Sequence, residues 1–171
     1  MPPGEARGHV VQVNVSDGGV PKLPVRSARV SRGGLAGDRQ RDLRYHGGVN
    51  RAVCCLALEV IERLRAEGHP IAPGTTGENL TLAGLDWSRA KVGARLAFDG
   101  GVELEITGFA APCPNIRGSF VGGNYERVSE KRHPGESRVY CRVLREGEVR
   151  AGEDVTILPA GSAGPPQAPP G

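Results

Sequence analysis

The chain has 171 residues, of which 38% are hydrophobic, and its formal net charge at pH 7 is +3. This length suits one compact domain with its own core. The modest charge, with no block of like charges, argues against nucleic acid or a membrane surface as a partner. No apolar N-terminal segment has the pattern of a signal peptide, and no later run has the length of a membrane span, so we expect a cytoplasmic protein.

The first strand signal lies at residues 11–15, where valines alternate with polar residues, and the turn-forming residues 17–19 end it. A weaker strand signal at residues 25–30 is followed by a long polar, glycine-rich loop over residues 37–51. Loops of this length in compact domains are commonly functional. We therefore expect ligand-binding side chains in this loop.

The middle of the chain carries the helix signal and the clearest hairpin signal. After an apolar strand signal at residues 52–57, Leu58, Ile61 and Leu64 share one helical face. The adjacent Cys54 and Cys55 are predicted to be small core residues of that strand. Residues 92–98 and 102–107 each alternate between apolar and polar side chains, and Asp-Gly-Gly separates them, which predicts a β-hairpin.

These patterns amount to about seven short strands and one principal helix. They predict a mainly β fold, a closed or nearly closed antiparallel β-barrel. We place the domain at residues 8–158. Residues 1–7 are predicted to be a flexible N-terminus, and the Pro- and Gly-rich residues 159–171 a disordered tail.

Cys113 directly follows the second strand of the predicted hairpin, between Pro112 and Pro114. The two prolines restrict the backbone to an extended or turn conformation and hold the thiol at the end of a strand. A fixed, accessible sulfur suits a nucleophile, a persulfide carrier or a soft-metal ligand, whereas the alternative is a small apolar loop residue. Cys141 alternates with polar residues in a later strand signal and is predicted to lie in the core.

Three polar motifs follow one another along the chain. They are Gly37-Asp38-Arg39 with His46-Gly47-Gly48, then Gly77-Glu78-Asn79, then Pro112-Cys113. Their order and spacing resemble the MOSC domain, the module named after the C-terminal part of molybdenum cofactor sulfurases, in its small standalone form. The resemblance covers residues 8–158. It implies a β-barrel-like fold with a cleft at whose edge Cys113 lies.

The resemblance also implies a function through Cys113: sulfur transfer as a persulfide, or binding of a molybdenum–pterin cofactor with the cysteine as metal ligand. Some members of the family reduce N-hydroxylated compounds. The expected classes are therefore a sulfurtransferase-like protein or a molybdenum-cofactor-dependent oxidoreductase. The expected partners are a small-molecule or pterin ligand and a cysteine desulfurase or a reductase. Pyridoxal phosphate is not expected on this chain, because the motif loops contain no lysine.

Three positions depart from the family pattern. Ala111 and Asn115 stand where standalone members often carry basic residues, and Thr76 stands where an aromatic residue is common. These departures keep two other functions open. One is a cofactor-free Cys/His enzyme acting on a small, sulfur-containing substrate by C–S bond chemistry. The other is a cofactor-delivery module without turnover.

We assign candidate roles on this basis. Cys113 and His46 are the candidate catalytic residues, and Cys113 is also the candidate metal ligand. The candidate cofactor-binding residues are Arg39, Gly47, Gly48, Arg51, Glu78, Asn79 and Asn115. The thiolate is the reactive form of a cysteine, and Arg39, Arg51 or His46 could supply the positive charge that favours it. We expect residues 37–51 and the Cys113 loop to meet across one cleft.

Several of these residues have a structural alternative. Asp38 and Arg39 could form an ion pair that pins the loop, although the Arg39 guanidinium also suits a pterin or phosphate oxygen. His46 could act as a general acid or base, or be a loop histidine bonded to the backbone. Glu78 and Asn79 could bond the edge of a pterin, or satisfy backbone groups of their own loop.

Overall fold

The computed structural model describes residues 7–39 and 48–161. Within them the strands and the α-helix are β1 (Arg7–Val15), β2 (Leu23–Val25), β3 (Ser27–Ser31), β4 (Gly34–Leu35), β5 (Val53–Ala57), α1 (Leu58–Ala66), β6 (Leu80–Ala83), β7 (Arg95–Phe98), β8 (Glu103–Phe109), β9 (Val139–Arg145), β10 (Gly147–Arg150) and β11 (Asp154–Leu158). The predicted N-terminal segment and tail lie mostly outside these residues, as do His46 and Gly47.

Seven strands close into a barrel in the order β11-β7-β8-β9-β5-β6-β1, and pairing between β1 and β11 completes the ring. β2 continues the sheet beyond β1, and β10, β3 and β4 form a separate three-stranded sheet. The predicted mainly β barrel with one principal helix is confirmed. Closure leaves the seven barrel strands with few free edges, which is the usual advantage of a barrel over an open sheet.

The prediction of an antiparallel barrel is wrong for one pair of strands. β5 and β6 run parallel, with Cys55 opposite Leu80 and Ala57 opposite Leu82. The chain leaves β5 directly into α1 and returns to β6 after the helix. Parallel neighbours need such a crossover, whereas antiparallel neighbours can be joined by a tight turn. The barrel is therefore mixed.

The predicted hairpin is confirmed as β7 and β8, which pair antiparallel with Leu96 opposite Leu104. The inward residues Val102, Leu104 and Ile106 are fully buried, as their alternation predicts. β7 begins at Arg95 rather than at the predicted Val92, and Val92 is 58% exposed. Ala94 still contributes to the core, because Gly93 and Ala94 make backbone hydrogen bonds with Ile106.

The three buried cysteines divide between two packing regions. Cys55 and Cys141 belong to the main core, whereas Cys54 packs with Ala110 and Tyr140 in a second cluster. Successive side chains of a strand point to opposite faces, so Cys54 faces away from its neighbour Cys55. Cys54 is paired directly across the sheet with Tyr140. This second face of β5 and β9 forms part of the candidate site.

Candidate functional site

A cavity of about 250 Å³ opens beside Cys113. Its wall combines parts of the chain that are far apart in sequence: the turn after β1, Arg39, the Thr76–Gly77 segment and the Cys113 loop. Cys54 from β5, Arg138 directly before β9 and Tyr140 within β9 complete the wall. The polar segments predicted from the sequence to converge therefore do so at Arg39 and Cys113. His46 lies outside the described residues, and its closeness to Cys113 stays a prediction.

Cys113 is held in the way that its flanking prolines predict. Its backbone is extended, with φ −137° and ψ 163°, and it stands directly before the 3-10 helix Pro114–Ser119. The Ile116 amide donates a hydrogen bond to the Cys113 carbonyl oxygen at 3.2 Å, which closes the first turn. Cys113 is half-buried, whereas Cys54, Cys55 and Cys141 are buried. It is therefore the most accessible thiol of the four.

Lys22 contributes a charge to the cavity wall that is already neutralised. Its Nζ lies 2.6 Å and 2.7 Å from the two carboxylate oxygens of Asp38, and the two side chains are only 6% and 5% exposed. Asp38 also accepts hydrogen bonds from the Ser16 amide and from Asn79 Nδ2. The expected Asp38–Arg39 pair is thus replaced by a buried Lys22–Asp38 pair.

Arg39 lines the cavity but turns most of its side chain to solvent. Its backbone pairs with Asp17, and its guanidinium lies 3.8 Å from the Asp17 carboxylate, with the side chains 78% and 91% exposed. An ion pair this exposed contributes little to stability. Asn115, another predicted binding residue, is also exposed on the cavity wall. Both side chains are positioned to contact a ligand at the cavity mouth.

Arg138 provides the buried positive charge of the site. Only 5% of the residue is exposed. Its Nη1 donates to the Thr76 carbonyl oxygen at 2.7 Å and its Nη2 to the Ala111 carbonyl oxygen at 3.4 Å. Its Nε has no hydrogen-bond partner within the described part of the chain. The guanidinium therefore bridges the Thr76 segment and the Cys113 loop while keeping unused donor capacity.

Glu78 and Asn79 stand behind the cavity rather than on its described wall. Glu78 is fully buried and accepts hydrogen bonds from the Gly74 amide and from the hydroxyls of Thr76 and Thr81. Burial raises the pKa of Glu78, although these hydrogen bonds oppose the rise. Asn79 Oδ1 accepts from the Cys54 amide. Their positions favour the alternative in which both residues satisfy groups of the surrounding loops.

Two glycines of the predicted motifs, Gly48 and Gly77, have the left-handed conformation that glycine adopts most easily. Both have a φ of +84°. Gly77 lines the cavity, and a Cβ added there would stand 3.0 Å from Val20 Cγ1. A side chain at this position would be strained and would press on the cavity wall. Gly48 instead precedes a 3-10 turn at the surface.

Arg51 lies in a neighbouring pocket of about 600 Å³ and not on the described wall of the Cys113 cavity. Its guanidinium carbon is 5.4 Å from the centroid of the Tyr140 ring, a cation–π distance. Tyr140 lines both pockets and so separates them. Burial raises the pKa of Tyr140 to about 12, which keeps its phenol neutral at physiological pH.

The wall residues that sequence reasoning missed include Cys54, Arg138 and Tyr140. Tyr140 alternates with the inward residues Val139 and Cys141, and the same period places Arg138 on the face of Tyr140. The alternation in the sequence therefore indicates that these two side chains lie together, outside the main core. Cys54 carried no such signal, because every residue of β5 is buried. Burial raises the pKa of Cys54 to about 12, so this second thiol stays protonated near neutral pH.

The donor groups fit a molybdenum–pterin cofactor in their chemistry. The described residues contain no group of three or more His, Cys, Asp or Glu that could hold a metal ion by itself. The Cys113 thiolate is a suitable soft ligand for a metal, and a molybdenum–pterin cofactor would bring further ligands of its own. Arg138 and Asn115, which line the same cavity, would hold anionic and amide groups of the cofactor.

No helix among the described residues is both long enough and apolar enough to cross a membrane.

Comparison with known proteins identifies relatives. The uncharacterized protein YflK of Bacillus subtilis is 32% identical over 148 residues, which cover 85% of this chain and 66% of YflK. Among solved structures, YuaD from Bacillus subtilis superposes with a TM-score of 0.71 at 19% identity, covering 90% of this chain and 96% of that one. YiiM from Geobacillus stearothermophilus gives 0.67 at 22% identity, with 88% and 75% covered.

These solved structures support the fold, and the family follows from the sequence. The family model of the MOSC domain matches residues 42–156, about two thirds of the chain. The matched region contains Cys113, Arg138 and Tyr140, and it runs from the glycine-rich loop to the last barrel strand. The chain therefore belongs to the MOSC domain family.

Proposed function

We propose that this protein is a sulfur carrier that accepts a sulfane sulfur on Cys113 as a persulfide and passes it to an acceptor. The observation that carries the proposal is the position of Cys113: a half-buried thiol with fixed backbone, on the wall of a cavity that also contains the buried Arg138 guanidinium. A positive charge on the same wall attracts an anionic sulfur donor to the thiol.

The transfer is a thiol–disulfide type exchange and needs no external oxidant. The Cys113 thiolate attacks the outer sulfur of a donor persulfide, a new S–S bond forms to Cys113, and the donor S–S bond breaks. The donor leaves as a thiolate that takes up a proton, and the protein holds one sulfane sulfur. A second exchange with an acceptor thiolate releases this sulfur and regenerates the Cys113 thiolate. A cysteine desulfurase persulfide is a suitable donor for the first step.

The test is sulfur uptake measured by mass spectrometry. Reduced protein is incubated with a cysteine desulfurase and cysteine, and peptides are mapped without reductant. We expect the Cys113 peptide to gain the mass of one sulfur atom and to lose it again on treatment with dithiothreitol. Cys54→Ala is the control, because Cys54 shares the cavity and is the competing sulfur site. Uptake only at Cys54, or none at any cysteine, would contradict the proposal.

A second candidate function is the molybdenum-dependent reduction of N-hydroxylated compounds. The favouring observation is a single accessible thiol beside Arg138 and Asn115, because this donor set suits a metal whose other ligands belong to a pterin. The bound cofactor would supply the redox chemistry. Protein purified from a molybdenum-replete host should then contain molybdenum in the wild type and lose it in Cys113→Ser. Metal-free protein that still takes up sulfur favours the carrier.

His46 discriminates between passive carriage and the cofactor-free Cys/His enzyme. Acid–base catalysis by His46 would make His46→Ala lose about 10²- to 10⁴-fold in rate. A persulfide carrier or a delivery module without turnover would lose far less. The measurement is single-turnover transfer of sulfur from loaded Cys113 to a small thiol, compared between wild type and His46→Ala.

A further inference from the structure

The cavity beside Cys113 carries a buried cationic group, Arg138, that the described residues leave without a counter-charge. Arg138 is 5% exposed and lines the cavity, and its Nε has no partner within the described residues. The two hydrogen bonds it makes are to the neutral carbonyl oxygens of Thr76 and Ala111. A guanidinium has five N–H donors, and because the Nε is enclosed by the protein, the donors left for a ligand are the second N–H groups of Nη1 and Nη2.

The other charges of the wall do not neutralise Arg138. The Asp38 carboxylate is taken by Lys22 in a buried pair at 2.6 Å. Glu78 is buried, and its carboxylate accepts from the Gly74 amide and two threonine hydroxyls. No ion pair joins Arg138 to a carboxylate within the described parts of the chain. Because a buried charge without a counter-ion is costly, an anionic ligand group would restore the balance.

The position of Arg138 ties this charge to the reactive thiol. Its Nη2 donates to the carbonyl oxygen of Ala111, two residues before Cys113, and both side chains line the same cavity. The cavity volume of about 250 Å³ lies below the range of about 300–1,000 Å³ that is usual for drug-sized ligands. The cavity therefore has room between the two groups for a molecule about the size of an amino acid.

We propose that Arg138 binds the carboxylate of a small thiol or persulfide whose sulfur faces Cys113, so that the direct sulfur donor or acceptor is a low-molecular-weight carboxylate. The inference rests on the proposed carrier function and names the substrate class of that site. A planar carboxylate matches the end of the guanidinium, where it can accept two parallel hydrogen bonds, one from Nη1 and one from Nη2. Val20 and Ile116 supply apolar wall for the carbon chain between the two ends.

The test uses two alkylating reagents that differ only in charge. Iodoacetate carries a carboxylate and iodoacetamide carries a neutral amide of similar size. In the wild type we expect iodoacetate to alkylate Cys113 with a rate that saturates with reagent concentration, and propionate to slow this reaction. Propionamide should not slow it. Arg138→Gln should lower the iodoacetate rate by at least about tenfold, the size expected for loss of a charge-assisted contact, and should change the iodoacetamide rate by less than about twofold.

Matched variants test whether the effect on the alkylation rates belongs to the buried charge of Arg138 or to any nearby positive charge. Arg142→Gln removes an exposed arginine of β9 that pairs with Glu105, and it should leave both rates unchanged. Arg138→Lys keeps the charge without the fork and should retain part of the iodoacetate preference. If Arg138→Gln fails to fold, the competition in wild-type protein decides alone, because it needs no substitution.

The outcomes are distinguishable from those of the carrier proposal. Iodoacetate alkylation without saturation, together with no protection by propionate, would overturn the carboxylate site even if Cys113 takes up sulfur. Saturation and protection without any sulfur uptake would support the carboxylate site and overturn the carrier. Equal loss of both alkylation rates in folded Arg138→Gln would also overturn the inference, because it would mean that Arg138 only positions the Cys113 loop.

Discussion

The environment of each of the four cysteines predicts the reactivity of its thiol. Cys55 and Cys141 are completely buried, and contact with Cys141 together with burial raises the pKa of Cys55 well above its ordinary value. Cys54 is 6% exposed with a pKa of about 12. Cys113 alone combines partial exposure with an extended loop backbone. Accessible thiolates react and buried thiols do not.

We therefore predict that a limiting amount of iodoacetamide labels Cys113 first in native protein. The measurement is peptide mapping by mass spectrometry after short exposures at neutral pH. Denatured protein is the control, since all four thiols should then react at similar rates. Preferential labelling of Cys54 or Cys141 in the native state would show that the exposure assigned to Cys113 is wrong.

Asp38 is predicted to be a strong determinant of stability. Asp38→Asn leaves the Lys22 ammonium buried without a counter-charge, and breaking a buried pair in this way costs about 3–5 kcal/mol. Urea unfolding followed by circular dichroism measures the change. Asp17→Asn is the matched control, because it removes the same charge from a side chain that is 91% exposed, and it should change stability little. Equal effects of the two variants would contradict the buried pair.

Among single residues, the sequence predicts those whose role depends only on their immediate neighbours in the chain. Cys113 is identified by its two flanking prolines, and its extended backbone is confirmed. The pairing of Asp38 could not be predicted in the same way. Its partner Lys22 lies sixteen positions earlier, and the choice between Lys22 and Arg39 depends on which side chain the closed barrel turns inward. Arg138 acquires its role only when Thr76 and Ala111 meet it in space.

Among the elements, the β7–β8 hairpin is predictable because its turn and its alternation lie within one short stretch. The parallel pairing of β5 with β6 is not. The α1 pattern is visible in the sequence, but the direction of the return strand depends on how the helix packs against the sheet, and the sequence offers no local signal for it. The same helix is joined to the segment after Cys113 by an ion pair between Arg63 and Glu136.

Glu136 links α1 to the segment after Cys113, and its carboxylate should make the stability of the fold depend on pH in the acid range. It accepts hydrogen bonds from Arg63 of α1, at 2.7 Å, and from Arg127. Burial alone would raise the pKa of Glu136, but the hydrogen bonds and charges of Arg127 and Arg63 outweigh burial and lower it. A carboxyl whose pKa is lower in the folded state stabilises that state above the ordinary glutamate pKa. This contribution is lost as pH falls through the folded value.

Glu136→Gln should therefore have a lower melting temperature than wild type at neutral pH, and the difference should shrink as the pH falls below the ordinary glutamate range. Thermal unfolding across an acid pH series measures this. Glu62→Gln, which removes the same charge from an exposed position of α1, should stay close to wild type at neutral pH. A gap between Glu136→Gln and wild type that widens in acid would mean that the pKa of Glu136 is raised by folding rather than lowered.

For the molecule as a whole, barrel closure is what assembles the cavity. Pairing of β5 with β9 brings Cys54 opposite Tyr140, and pairing of β1 with β6 brings the turn after β1 towards the Thr76–Gly77 segment. The mainly β class and most strands of the barrel follow from strand patterns, so they could be predicted, whereas the short β2, β4 and β10 were not. The composition of the cavity wall depends on register between distant strands, which a single sequence does not specify.

If the chemistry of this protein passes through Cys113, Cys113→Ser must remove it while leaving the fold in place. The residue stands at the N-cap of a 3-10 helix with no side-chain cap bond, and serine is compatible with that position. The melting temperature should therefore change by no more than about 2–4 °C. Desulfurase-dependent sulfur uptake and any molybdenum content should be lost, because a hydroxyl near neutral pH holds no persulfide and is a poor ligand for a soft metal site. A folded Cys113→Ser protein that takes up sulfur and binds metal as the wild type does would show that the reactive group lies elsewhere.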